Sequence, residues 1–167
     1  IAGGFAELGD EGRKLQVEVA ETARKNRIRL IGPNTSGMMN LNANLNLVGM
    51  RDAPKGDIAL LTQSGNMALT LITEAKNNSQ RGFSYYIGVG NEADINFHEY
   101  LSHFRTDPDT RAILMYVEGM RDGRSFLTEA RQTTRQKPIV LLKSGRSATG
   151  QRSAGSHPGA LAGMAEV

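Results

Sequence analysis

The chain contains no cysteine. That excludes disulfides, zinc–thiolate sites and a cysteine nucleophile together, and it fits a reducing compartment, so a cytoplasmic location is expected. Tryptophan is also absent, and aromatics make up only 5% of the residues, a poor supply of rings for stacking nucleic-acid bases. Charge of one sign is scarce. Lys and Arg number 20 against 17 Asp and Glu, a formal net charge of +3. The densest basic stretch, residues 131–152, is broken by Ile139-Val140-Leu141-Leu142. This is a solvated, mixed surface with no nucleic-acid partner expected, although the basic C-terminal half can attract a small anion such as phosphate. No apolar run approaches the roughly 18 residues of a membrane span, so no membrane partner is expected either. No basic segment followed by an apolar stretch marks a signal peptide.

Several catalytic signatures are missing as well. There is no G-x-x-x-x-G-K-[ST] loop and no G-x-G-x-x-G. Leu61-Thr62-Gln63-Ser64-Gly65 lacks the first glycine of a nucleophile elbow. His98 and His103 are five apart, which does not set them squarely on one helix face. A surface helix accounts for them better than a metal site, and no metal is expected.

What is present is enough for one domain with a real core: 167 residues, against roughly 100–200 per domain. The chain begins at Ile1 rather than Met and stops at Val167 with no helix stop signal, which suggests a piece of a longer protein. The apolar pattern alternates between two periods. Helical spacing runs over 11–25, 65–76, 97–104 and 124–135. Short apolar runs at 28–31, 57–62, 83–89, 112–117 and 138–143 read as strands, and 40–56, rich in Asn with Pro54 and Gly56, reads as a connection. A domain boundary is expected near Gly56. Strands alternating with helices imply a parallel α/β sheet covered on both faces. Residues 57–144 should supply four parallel strands, with ligands bound beyond their carboxyl ends. Residues 144–156, rich in Gly and Ser, should be mobile, with a helix beginning near Pro158.

Three loops at that edge can carry chemistry. In Gln63-Ser64-Gly65-Asn66, Ser64 can cap a helix whose free N–H groups and dipole would hold an anion; plain capping is the bland alternative. Glu118 follows a buried strand and would point at the ligand edge, unless it simply pairs with Arg121 or Arg124 in solvent. His157 lies after the Gly/Ser stretch and before a helix start. A neutral imidazole there is a nucleophile near pH 7 if a carboxylate holds its other N–H, and a structural histidine if none does.

Lys143-Ser144-Gly145-Arg146-Ser147, followed by Ser156-His157-Pro158-Gly159-Ala160-Leu161-Ala162-Gly163, resembles the NDP-forming acyl-CoA synthetases, relatives of the succinyl-CoA synthetase α subunit and of ADP-forming acetate–CoA ligase. Arg29-Leu30-Ile31-Gly32-Pro33-Asn34, Gln63-Ser64-Gly65, Gly82-Phe83-Ser84, Gly90-Asn91-Glu92-Ala93-Asp94 and Glu118-x-x-Arg121-Asp122-Gly123-Arg124 agree with it in order and spacing. The resemblance implies a flavodoxin-like α/β domain over 57–167, preceded over 1–50 by the end of a Rossmann-like CoA-binding domain. It implies that His157 is phosphorylated, that Glu118 supports it, that Ser64, Gly65 and Asn66 hold the phosphate, and that Gly32, Pro33 and Asn34 lie near the CoA thiol. Acyl-CoA and phosphate would be the substrates. ADP or ATP with Mg²⁺ would enter only through an ATP-grasp domain or subunit outside these residues, in an oligomeric enzyme. Three residues depart from the family: Thr35-Ser36 stand where Cys followed by Pro or Leu is usual, and Pro158 where Thr or Ala is usual. A related branch, the large protein acetyltransferases, carries this module as a regulatory part without the histidine. An acyl-CoA-sensing module fused to an acetyltransferase is therefore the competing expectation.

Overall fold

In the computed structural model, which describes residues 3–78 and 81–145, four of the five apolar runs join two short further strands in one six-stranded sheet. The strands are β1 (Met38–Asn40), β2 (Leu45–Asn46), β3 (Lys55–Thr62), β4 (Phe83–Gly88), β5 (Ala112–Val117) and β6 (Ile139–Lys143), and the helices are α1 (Asp10–Lys25), α2 (Gly65–Asn78), α3 (Phe97–Thr106) and α4 (Gly123–Thr133). The spatial order is β2-β1-β4-β3-β5-β6. The four expected strands are parallel to one another, as helical crossovers require.

Side chains alternate across the pleat, and this divides the core in two. One layer holds Ala59, Leu61, Ile87, Ile113, Met115 and Val117 of the sheet with Phe97, Tyr100, Leu101 and Phe104 of α3 and Phe126 of α4. The other holds Leu60, Phe83 and Tyr86 with Ala68 and Ile72 of α2, and Met39 of β1. Helices therefore cover both faces. Burying one Leu or Phe side chain stabilises by about 1.5–3 kcal/mol, so the apolar side chains of α3, which include Phe97, Leu101 and Phe104, all fully buried, hold that helix against the sheet. Edge strand β6 is different: Val140 and Leu142 stay more than half exposed.

Two expectations need correction. Residues 28–31 form no strand. The N–H of Leu30 goes to the Asp94 carboxylate at 2.8 Å, and the Leu30 carbonyl accepts from Ile95 N at 3.2 Å, so a side chain takes the place of a ladder. Residues 40–56 are not only a connection. Strand β1 pairs antiparallel with β4, and β2 with β1, making the sheet mixed and six-stranded. These strands are three and two residues long, too short to show a period of two. Their Asn side chains serve the turns: Asn40 Oδ1 accepts from Ala43 N and Asn46 Oδ1 from Val48 N. The expected mobile stretch beyond Gly145, the helix near Pro158 and His157 itself lie outside the described residues.

Candidate functional site

The sheet register brings the candidate loops to one edge. Thr62 stands opposite both Gly88 and Tyr116, Tyr116 opposite Leu142, and Val117 opposite Lys143. The loops beginning at Gln63, Val89, Glu118 and Ser144 thus leave the sheet side by side at its carboxyl end, where an open α/β sheet binds ligands.

At the head of α2, Ser64 and Thr62 lock the turn. Thr62 Oγ1 accepts from Ser64 N at 2.9 Å and donates to the Ser64 carbonyl at 2.9 Å. Ser64 Oγ accepts from Met67 N at 3.4 Å, a long cap bond. Gly65 and Asn66 are exposed in the first turn, which contains no acidic residue. The first N–H groups of a helix have no partner within it, and the dipole adds partial positive charge there. This end can hold an anion.

Gln63 links that turn to the next loop. Its Oε1 accepts from Glu118 N at 2.7 Å and Gly119 N at 3.0 Å, and its Nε2 donates to Glu92 Oε2 at 3.3 Å. Lys143 Nζ donates to the carbonyls of Glu118 at 2.8 Å and Ser144 at 2.5 Å. Ser64 and Glu118 therefore share one edge, with Glu118 half-buried. Glu92 is almost wholly buried at 2% exposure. Burial pushes its carboxyl pKa up to about 7, although the Phe97 N–H and Arg121 draw it the other way.

The Gly32–Asn34 turn lies on the same edge. It folds over the loop after β4: the Pro33 carbonyl accepts from Asn91 N and the Gly32 carbonyl from Ala93 N, each at 2.9 Å. The Gly32–Pro33 peptide is cis. Asn34 is exposed, and its Nδ2 donates to Asn91 Oδ1 at 3.3 Å. Thr35 Oγ1 donates to the Gly88 carbonyl, and the Ser36 and Tyr86 hydroxyls bond each other. Thr35 and Ser36 thus brace the turn against β4. A side chain at Gly88 would stand 2.7 Å from Ser36 Oγ and 2.8 Å from Thr35 Oγ1, so both hydroxyls would have to move to admit one. Ser36 also lies beside the first residue of α2, 3.6 Å from where a Gly65 Cβ would be.

His98 and His103 sit on α3, the latter exposed with its ring edge-on to Tyr85. Among the described residues no group of three or more His, Asp or Glu could hold a metal ion, and no helix is long and apolar enough to cross a membrane. Sequence reasoning attached no role to Gln63 or Glu92. A glutamine beside a capping serine and a glutamate in a Gly-Asn-Glu-Ala-Asp loop look like ordinary loop polarity. Only burial and bond direction set them apart.

A family model described as a succinyl-CoA ligase-like flavodoxin domain matches residues 55–167. The α subunit of ADP-forming acetate–CoA ligase II from Pyrococcus furiosus is 40% identical over 167 residues, which is 100% of this chain and 36% of that protein. The α subunit of ligase I from the same organism is 42% identical over 168 residues, again 100% of this chain and 36% of its own. The solved structure of dinucleotide-forming acetyl-coenzyme A synthetase 1 from Ca. Korarchaeum cryptofilum, in complex with phosphate and ADP, matches with a TM-score of 0.88 at 35% identity, over 98% of this chain and 35% of that one. The chain spans about a third of the length of these relatives.

Proposed function

Because the chain belongs to the NDP-forming acyl-CoA synthetases, through its succinyl-CoA ligase-like flavodoxin domain, we propose that it carries the acyl-CoA and phosphohistidine part of such an enzyme: acyl-CoA, phosphate and NDP interconvert with acid, CoA and NTP. Residues 57–167 would be the flavodoxin-like domain and 1–50 the end of a CoA-binding domain. A phosphate oxygen attacks the thioester carbonyl, the C–S bond breaks, and CoA leaves with a proton as acyl phosphate forms. A ring nitrogen of His157 then attacks phosphorus, and the P–O bond to the acyl group breaks to release the carboxylate. The P–N bond finally yields to an NDP oxygen on an ATP-grasp domain or subunit, where Mg²⁺ belongs.

Each described residue has a task in this scheme. The N–H groups of Gly65 and Asn66, set by Ser64, hold the phosphoryl group at the head of α2. Glu118 holds the second N–H of His157, keeps the tautomer and stabilises the imidazolium once phosphorus is bound, as a triad carboxylate does. Gly32, Pro33 and Asn34 receive the thiol end of CoA. Phosphoryl transfer asks chiefly for positioning and charge stabilisation, and these groups offer both. The observation that carries the reading is the Gln63 bridge, which joins the anion-binding head of α2 to the Glu118 loop while the Gly32–Asn34 turn lies on the same edge. That the relatives are ligases supports a synthetase over an acyl-CoA sensor. A cytoplasmic, oligomeric enzyme is part of the same proposal.

The test uses the full-length protein with its nucleotide-binding part. Acetyl-CoA, ADP or GDP, and phosphate should give NTP and free CoA in equal amounts. No NTP with any acyl-CoA, in a protein that still binds acyl-CoA, would overturn the synthetase reading.

A further inference from the structure

Glu92 is a buried carboxyl with a hydrogen bond to each of its oxygens. Phe97 N, at the first residue of α3, donates to its Oε1 at 3.1 Å, and Gln63 Nε2 donates to its Oε2 at 3.3 Å. Its main-chain carbonyl accepts from Arg121 Nη1 at 3.2 Å. Burying a carboxyl costs free energy that an apolar residue would avoid, so its presence needs a reason.

The direction of the bonds supplies one. Gln63 Oε1 already accepts from Glu118 N and Gly119 N. The amide NH₂ of Gln63 therefore has to meet an acceptor. Residue 92 must also accept from Phe97 N. Once ionised, above its pKa of about 7, the carboxylate accepts on both oxygens, whereas a glutamine at 92 would accept on one atom and present a donor to the other donor. If the Gln63 amide turned over to cure that clash, its NH₂ would face the N–H groups of Glu118 and Gly119. The main-chain carbonyl of residue 92, whatever its side chain, also holds the far side of the same loop through Arg121.

We propose that Glu92 is a positioning residue for phosphohistidine formation: it fixes the Gln63 amide in the one orientation that holds the Glu118 loop beside the head of α2. This rests on Glu118 acting on His157 as argued under Proposed function. The Glu92 carboxyl also accepts the first N–H of α3, so loss of stability alone would not separate the two roles.

The experiment measures single-turnover labelling of the full-length enzyme by labelled phosphate and acyl-CoA, together with its melting temperature. Glu92→Gln should slow labelling by roughly 10- to 100-fold, the size typical of losing an outer partner that orients a metal ligand. Gln63→Glu sets acceptor against acceptor and should slow it similarly. The double variant Gln63→Glu/Glu92→Gln restores donor to acceptor and should recover most of the rate. In a Glu118→Gln background, Glu92→Gln should slow labelling no further, while its effect on melting persists; this non-additivity marks action through Glu118. Wild-type labelling in Glu92→Gln, an undiminished further slowing without the Glu118 carboxylate, or a double variant as slow as the singles would overturn the proposal. Should Glu92→Gln fail to fold, Gln63→Glu and the double variant decide by the same comparison. If the wild type takes no label, or Glu118→Gln labels at the wild-type rate, the underlying reading fails instead and this proposal with it.

Discussion

Gly90→Ala places one methyl group at the closest backbone approach in the site. Gly90 is buried and has φ +63°, in the left-handed region. Holding alanine there costs about 1–2 kcal/mol. The new Cβ would run into the Pro33 carbonyl oxygen and lie 2.9 Å from the Asn34 oxygen. Both are backbone atoms, so no side chain can swing aside, and overpacking of this kind costs about 1–3 kcal/mol. The alternative is for the Gly32–Asn34 turn to lift away. That would break the bonds from Asn91 N to Pro33 O and from Ala93 N to Gly32 O, each worth about 1 kcal/mol. Either route leaves a loss of about 2–5 kcal/mol. The second also displaces the turn proposed to receive CoA. Gly123→Ala is the control, since nothing lies within 4 Å of its added Cβ at the first residue of α4. It should be neutral or stabilising by up to about 1 kcal/mol. Thermal unfolding and steady-state KM for CoA of the full-length enzyme check both. Gly90→Ala should melt lower with a raised KM for CoA. If it matches Gly123→Ala in both measurements, the turn does not pack on this loop as described.

Three further outcomes follow from the same geometry. Glu118→Gln should lower the rate of phosphoryl transfer to the protein by about 10²–10⁴-fold, with the melting temperature near wild type, as stopped-flow or quench labelling would show. Ser64→Ala removes a long cap bond and should destabilise by about 0.5–1 kcal/mol, with a raised KM for phosphate in steady-state assays. Glu92 has its folded pKa near 7 against an ordinary 4.5, so the folded chain holds this proton more tightly than the unfolded one. Stability should therefore fall as pH rises from 4.5 to 7, by at most about 3 kcal/mol. Denaturation across that range should show the slope in wild type and its loss in Glu92→Gln.

Much of the scaffold was legible because apolar periodicity is a local property. The runs that became β3 to β6 and the four helices carry their own spacing, and the rule that ligands sit beyond parallel strands put Ser64 and Glu118 on one edge. What escaped depends on contacts between distant residues. Strands β1 and β2 are too short for a period to appear, and β1 exists because β4 offers it a free edge. Residues 28–31 look like a strand by composition, but Asp94, 64 residues away, takes the N–H of Leu30. The bridge from Gln63 to Glu118 and Glu92 spans separations of 55 and 29 residues, and nothing local to either end announces it. The packing of Gly32–Asn34 on Gly90 is of the same kind.

The central claim is that His157 takes the phosphoryl group. Full-length protein incubated with labelled phosphate and acyl-CoA, or with labelled NTP, should acquire protein-bound label that is acid-labile and base-stable, as a phosphoramidate is. That label should vanish in His157→Asn and persist in His98→Asn and His103→Asn. Label retained in His157→Asn, or none in the wild type with any acyl-CoA, would contradict the account.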